Sequence, residues 1–287
     1  MRAVYLKELK LNFTGFTGYL YGAFILLFVG IYTMAINLSG GYAQFEYVLE
    51  SMAFIYLIAC PVLTMRAFAE EKRSKTDQLL YSLPIRLSDV VVGKYLAMLT
   101  VSLLPVAVVS VYPLLLSGYG HVDMRSAYVS ILMFFLLGAC LTSIGMFISS
   151  VTENQVTSAV VTLVIMLITY FMTSLASYVS TASSSSLIAL SALALVLAAI
   201  VYLFTKNLSV AFLTAAALVG ALLIAYAIDA SAFSGLFPAL MKKLSLFERF
   251  YGTIGGMFDL TAIVYYLSII GVFLFFTTET LEKRRWS

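Results

Sequence analysis

Charged side chains are scarce in this 287-residue chain: only 11% of its residues are Asp, Glu, Lys or Arg, whereas 62% are hydrophobic. A soluble domain carries roughly 25% charged residues because its surface faces water. A chain with so little charge cannot supply such a surface. Its mean hydropathy of +1.01 instead predicts an integral membrane protein whose apolar side chains face lipid.

Residue types that catalyse reactions or bind metals are also rare. The single histidine, His121, lies beside Asp123 in a predicted outer loop, and one histidine forms neither a zinc site nor a catalytic triad. The two cysteines, Cys60 and Cys140, lie inside apolar runs, which favours two buried thiols over a disulfide. The sequence predicts no catalytic residue, no metal site and no cofactor bound by this chain. The net charge of +3 does not indicate a nucleic-acid partner.

The sequence has no phosphate-binding P-loop. That motif needs a glycine, four further residues and then Gly-Lys followed by Ser or Thr, so that backbone amides surround a phosphate and the hydroxyl holds magnesium. The nearest match, residues 88–95, ends in Gly93, Lys94 and Tyr95 but lacks the first glycine and the final hydroxyl. We interpret this match as chance, so no segment predicts a nucleotide site.

Apolar runs near the length of about 20 residues that crosses a bilayer recur along the chain. They predict an all-α protein with about eight transmembrane helices. The positive-inside rule then predicts that both termini are cytoplasmic, because this arrangement leaves only four of the 17 basic residues outside: Arg125, Lys242, Lys243 and Arg249. The eight runs are residues 19–37, 51–65, 90–116, 127–150, 156–178, 187–204, 208–228 and 261–278.

The segment 66–87 is the one long charged stretch on the predicted inner side. It carries Glu70, Glu71, Lys72, Arg73 and Thr76, followed by Leu79, Leu80 and Leu83. The three leucines fall on one stripe of a short helix, which Pro84 ends. A short helix with such a stripe is typical of docking into the groove of a soluble partner. The alternative is a solvated loop beside anionic lipid.

The sequence also predicts the local structure of four further segments. Residues 1–13 predict an amphipathic helix on the inner leaflet, with an ordinary charged flank as the alternative. Residues 187–228 predict a tight hairpin of two spans. In 233–259, glycines interrupt apolar pieces, which predicts an outer re-entrant element. Thr152 and Gln155 have the spacing of a capping box that opens the fifth span.

Within the segment 66–87, the run Arg66 to Ile85 resembles the first cytoplasmic loop of ABC-2 class (type V) exporter permeases. Three further groups of residues are similar to the gliding-motility-type branch of that family. The first is Lys7, Glu8 and Leu9, leading into Gly18 and Tyr19. The second is Ser149 and Ser150 with Thr152, Glu153, Asn154 and Gln155. The third is Leu246, Phe247, Glu248, Arg249 and Phe250, with Gly255, Asp259, Leu260, Tyr265, Tyr266, Leu281, Glu282, Arg284, Arg285 and Trp286.

The resemblance implies a single permease domain over 1–287, in the prokaryotic cytoplasmic (inner) membrane, that exports an unidentified substrate. It implies two copies of a cytoplasmic ABC ATPase, which hold ATP and Mg, together with a second permease copy or homologue and an auxiliary membrane protein. ATPase coupling would fall on Glu70 to Pro84, with a second contact at Thr152 to Gln155. An exit gate would include Phe247, Glu248, Arg249, Phe250 and Asp259. Typical relatives have six spans, so 187–228 is interpreted as an inserted hairpin.

Two other functions stay open at the level of sequence. A secondary transporter or channel would keep ionisable residues inside the membrane, whereas the acids here cluster at span ends, as Glu46, Glu50, Asp229 and Asp259 do. A membrane assembly or scaffold protein is the second alternative, and a lack of ATPase stimulation would support it. The spacing of Gly138 and Thr142 permits close approach of two helices and is weak support for a dimer.

Overall fold

The chain is predominantly helical in the part that its computed structural model describes, residues 1–76, 86–205, 207–254 and 258–286. No strand occurs in these ranges. Lipid offers no hydrogen-bond partners to the backbone, so a spanning chain must satisfy its N–H and C=O groups within helices. The helices are α1 (Arg2–Thr14), α2 (Thr17–Tyr32), α3 (Glu46–Met52), α4 (Tyr56–Thr64), α5 (Ala69–Arg73), α6 (Leu87–Val109), α7 (Tyr112–Leu116), α8 (Met124–Val151), α9 (Gln155–Tyr178), α10 (Ser183–Thr205), α11 (Leu208–Ile228), α12 (Leu236–Leu244), α13 (Leu246–Tyr251) and α14 (Leu260–Trp286).

Seven helical segments of the described chain are long and apolar enough to cross a membrane. They are Thr17–Ser39, Glu46–Arg73, Leu87–Leu116, Met124–Val151, Gln155–Tyr178, Leu208–Ile228 and Leu260–Arg285. The helix α10 adds a shorter apolar stretch, Ser183–Ala199, within its 23 residues. The prediction of a multi-span helical membrane protein is therefore confirmed, with eight as an approximate count.

The chain forms two compact units. The first unit contains Met1–Ile168 and Arg249–Ser287, and the second contains Thr169–Glu248. In the second unit α10 and α11 pack along each other, and Asn207 caps α11 by accepting a hydrogen bond from the Ser209 amide at 3.0 Å. The predicted hairpin 187–228 lies wholly within this unit.

The helix α8 is the most buried span and packs against α4, α6 and α14 in the first unit. Its contact with α4 is close because Gly138 faces the Tyr56 ring and Gly145 faces Thr64. The Tyr56 hydroxyl donates to the Phe134 carbonyl at 3.1 Å. The spacing of small residues in α8 thus brings two helices of one chain together, a role that does not require a second copy.

The structure describes three further segments for which the sequence made local predictions. Cys60 and Cys140 are free and buried, as expected of apolar thiols. The predicted helix over 1–13 is α1, which packs on α6; its position on the inner leaflet stays a prediction. The segment 233–259 is mostly helical, since α12 and α13 fall within it, and its re-entrance stays a prediction.

Candidate functional site

A lysine buried in the first turns of α6 is the centre of an ion-pair cluster. Lys94 is 3% exposed, and its Nζ lies 2.9 Å from Oε1 of Glu71 and 3.1 Å from Oε1 of Glu8. It also donates to the Ala67 carbonyl at 2.7 Å. The ammonium therefore has one hydrogen-bond acceptor and two carboxylates at ion-pair distance. Because Glu8 belongs to α1 and Glu71 to α5, one buried cation connects three helices.

Lys7 extends this cluster toward the surface. Its Nζ lies 3.4 Å from Oε1 of Glu71 and 3.7 Å from Oε1 of Glu8. The Lys7 side chain is half-exposed, so its pairs contribute little. The Phe68 ring, 4.8 Å from the Lys94 ammonium, adds a cation–π contact on the buried side. The inner pairs around Lys94 therefore carry most of the electrostatic interaction.

A second ion pair connects α5 to the start of α2. The Arg66 guanidinium binds Glu70 through two parallel hydrogen bonds of 2.8 and 3.0 Å. Its third nitrogen donates to the Thr17 hydroxyl at 3.3 Å. Bidentate arginine–carboxylate pairs have a fixed geometry. This pair therefore orients α5 relative to α2, in addition to the link that Glu71 makes with α6.

The start of α5 is hydrogen-bonded to the C-terminal end of α8, which the predicted topology places on the cytoplasmic side. The Ser149 hydroxyl accepts hydrogen bonds from the amides of Phe68 and Ala69, at 3.1 and 3.2 Å. Lys72 donates to the Ser150 carbonyl. The first N–H groups of one helix and the last C=O groups of another lack intrahelical partners. The Ser149 side chain thus accepts from backbone amides at the start of α5, and the Lys72 side chain donates to a backbone carbonyl at the end of α8.

Replacing Ser149 with alanine should lower the free energy of unfolding by about 1–2 kcal/mol, because two buried amides lose their acceptor. Ser150→Ala is the matched control, since among the described residues that hydroxyl donates to the Phe147 carbonyl of its own helix and to no other group. Thermal unfolding of the purified chain in detergent compares the two variants. Equal stability of both would show that Ser149 does not cap α5.

A cavity of about 430 Å³ lies among α1, α5 and α6, next to this cluster. Three cations and three carboxylates line it, so its formal charge balances. Apolar walls from Leu11, Leu63 and Met98 complete it. The charged lining consists of Lys7, Glu8, Arg66, Glu70, Glu71 and Lys94.

The structure describes five of the nine residues predicted for ATPase coupling. Glu70 to Arg73 form most of α5. Glu71 and Lys72 point toward the interior of the unit, whereas Arg73 is exposed. The Thr76 hydroxyl donates to the Glu71 carbonyl at 3.3 Å. Leu79, Leu80, Leu83 and Pro84 lie outside the described residues.

The predicted capping box over Thr152 to Gln155 is wrong in its pairing. The Thr152 hydroxyl donates back to the Ile148 carbonyl at 3.0 Å and so ends α8. Asn154 caps α9 instead, because its side-chain oxygen accepts from the Val156 amide at 2.9 Å. Between them, Glu153 pairs with Arg284 of α14 at 2.7 Å.

The residues predicted for an exit gate divide between the two units. In the second unit, Phe247 is fully buried and meets the Tyr170 ring edge-to-face at 5.0 Å, and Glu248 follows it. In the first unit, Phe250 is fully buried with its centroid 6.1 Å from that of Phe134. The Arg249 guanidinium, also in the first unit, lies 5.2 Å from the centroid of Tyr265.

Asp259 caps α14. Its carboxylate accepts from the Thr261 amide at 2.8 Å. Hydrogen bonds from Thr261 hold the pKa of this carboxyl below its ordinary value. The side chain therefore stays ionised at the start of the last span, where the partial positive charge of the helix N-terminus also favours an anion.

Sequence reasoning missed the central residue of the cluster. In the sequence Lys94 is one of the basic residues on the predicted inner side and is part of the chance P-loop match over 88–95. The available signal was its position four residues inside the apolar run 90–116. An ionisable residue within a spanning segment is by default a functional hypothesis, and a partner should be sought for it.

The long apolar helices define a multi-pass helical membrane protein. Residues 21–233 match the family described as ABC-2 family transporter protein. That match covers well over half of the chain, and the protein therefore belongs to the ABC-2 transporter membrane family. No curated protein and no solved structure matches the chain.

Proposed function

We propose that this chain is the membrane-spanning permease subunit of an ATP-binding cassette exporter and that a separate cytoplasmic subunit hydrolyses ATP. Membership of the ABC-2 family supports a permease role. The observation that carries the coupling proposal is the cluster around Lys94. It connects α5, which opens the predicted coupling segment, to a spanning helix and to the N-terminal helix.

The contacts of α5 suggest how a push on this segment reaches the membrane. Glu71 transmits displacement to α6 through Lys94. The Ser149 hydroxyl and Lys72 connect α5 to the end of α8. Arg66, which continues from α4, reaches Thr17 at the start of α2. A force applied to α5 would therefore act on four spans, and ATP binding or hydrolysis on a partner could change their packing.

The remaining features of the proposal follow from the resemblance and from charge placement. The gliding-motility-type branch, the prokaryotic inner membrane and cytoplasmic termini are proposed, as are two ATPase copies carrying ATP and Mg. A second permease copy or homologue, and an auxiliary membrane protein, complete the assembly. The residues Thr152 to Gln155 would form a second ATPase contact, and the Glu153–Arg284 pair supports an ordered surface there.

The outer segment 233–259 is proposed as part of the exit gate. The buried rings of Phe247 and Phe250 favour a packed element over a solvated loop. The hairpin 187–228 is proposed as an insertion into a core of fewer spans, and its exposed apolar side chains suit lipid.

The decisive experiment is Leu80→Ala, tested in co-purification with the ATPase subunit and in measurements of ATP hydrolysis. Removing a leucine anchor from a docking groove should weaken the free energy of association by about 2 kcal/mol or more. Both assembly with the ATPase and stimulated ATP hydrolysis should therefore fall. Lys75→Ala is the matched control, because an exposed charge at the edge of an interface should cost much less. Full assembly and full stimulation by Leu80→Ala would refute coupling through this segment.

A further inference from the structure

A group of polar side chains is buried on α3, α8 and the π-helix Thr33–Ser39 that continues α2, away from the ion-pair cluster around Lys94. All five are at least nine-tenths buried: Glu46 is 5% exposed and Asn37 is 7% exposed. The others are Thr33, Ser126 and Ser130. Buried polar groups are normally hydrogen-bonded, and each exception needs an explanation.

The carboxylate of Glu46 is incompletely paired. Its Oε1 accepts a hydrogen bond from the Ser126 hydroxyl at 3.1 Å, but its Oε2 is buried and receives none from the described residues. No Lys, Arg or His of the described chain lies within ion-pair distance of it. Burying an ionised carboxylate without a counter-charge is very unfavourable. A positive charge bound next to Glu46 would remove this cost.

Three more buried oxygens lie on the elements next to this carboxylate. Asn37 donates through Nδ2 to the carbonyls of Tyr42 and Gln44, at 2.6 and 3.2 Å. Since both partners are acceptors, the amide orientation is fixed. These bonds hold Gln44 beside Asn37, and Glu46 follows Gln44 by two residues. The remaining oxygens, Oδ1 of Asn37, Oγ1 of Thr33 and Oγ of Ser130, receive no partner from the described residues.

Helix geometry places each pair of these oxygens on one face of its own helix. Ser130 follows Ser126 by four residues in α8, so both hydroxyls lie on one face, toward Glu46. Thr33 and Asn37 are also four apart, in the seven-residue π-helix Thr33–Ser39 that continues α2. Such wide helical turns are rare and occur frequently at functional sites.

We propose that these residues form a binding site for a hard monovalent cation of the sodium type. The ligands are all oxygens, which suit hard cations. Glu46 brings one negative charge, so a monovalent ion is neutralised, whereas a divalent ion would leave a net charge among apolar side chains. The bound ion joins the end of α2 to α3 and α8.

The test is binding of radioactive sodium ion to the purified full-length chain, together with thermal unfolding in sodium chloride and in choline chloride of equal ionic strength. We expect saturable binding of one ion per chain, and a Tm that rises with sodium concentration because the ion binds the folded state. Glu46→Gln should abolish both effects. Glu50→Gln, one turn further along α3, should retain them.

Ser130→Ala tests the site with a smaller change and should weaken sodium affinity several-fold. It also keeps the proposal testable if Glu46→Gln fails to fold. The proposal is overturned if the unaltered chain shows no saturable sodium binding. It is equally overturned if the Tm is the same in sodium chloride and in choline chloride.

Discussion

Replacing Lys94 with methionine is expected to lower the free energy of unfolding by about 3–5 kcal/mol, the range for removing one partner of a buried ion pair. The variant leaves Glu8 and Glu71 beside an apolar side chain of similar length, with the half-exposed Lys7 as their nearest remaining cation. The Ala67 carbonyl also loses its donor. Thermal unfolding of the full-length chain in detergent measures the change.

Lys10→Met is the matched control, because Lys10 is exposed on the same N-terminal helix that supplies Glu8. A surface substitution of this kind should stay within about 0.5 kcal/mol. Combining Lys94→Met with Glu8→Gln and Glu71→Gln should recover part of the loss, since neutral residues leave no charge unpaired. If Lys94→Met and Lys10→Met are equally stable, the cluster does not stabilise the fold.

Hydropathy alone predicted most of the fold, because lipid imposes a simple rule on the backbone. A span must be helical and near 20 apolar residues long, and the predicted runs accordingly fall within the observed helices. The bounds differ because polar residues continue several spans beyond their apolar runs. The second span, predicted over 51–65, extends over Glu46–Arg73.

The partners of Lys94 could not be predicted from one sequence. Glu8 lies 86 positions before it and Glu71 lies 23 before it, and nothing in composition or periodicity pairs such distant residues. The same limit applies to Ser149, whose hydroxyl caps a helix about 80 positions earlier. Local patterns indicate the helix on which a residue lies, whereas the ion-pair cluster around Lys94 arises from packing between helices.

The capping prediction failed for a local reason. Thr152 and Asn154 are both good N-cap residues, and the spacing to Gln155 favoured Thr152. A threonine can also bond the carbonyl four residues before it, and Thr152 does so with Ile148. This hydroxyl is then committed to the end of α8. Asn154 supplies the acceptor for α9.

Gly138→Ala is expected to destabilise the first unit by about 3 kcal/mol, at the upper end of the usual cost of overpacking a core. A Cβ at this position would lie 2.7 to 2.9 Å from three atoms of the Tyr56 phenol. That ring cannot easily move, because its hydroxyl bonds the Phe134 carbonyl and its face stacks on the Phe134 ring at 4.5 Å. The measurement is thermal unfolding of the purified chain.

Gly271→Ala provides the matched control, because a Cβ there meets no atom within 4 Å. In an open helical position alanine is favoured over glycine by about 1 kcal/mol, so this variant should be as stable as the unaltered chain or more so. Adding Tyr56→Leu to Gly138→Ala should cost less than the two changes separately, since the shorter side chain leaves room for the new methyl group. Strict additivity of the two changes, or equal stability of both alanine variants, would mean that α4 and α8 do not meet at Gly138.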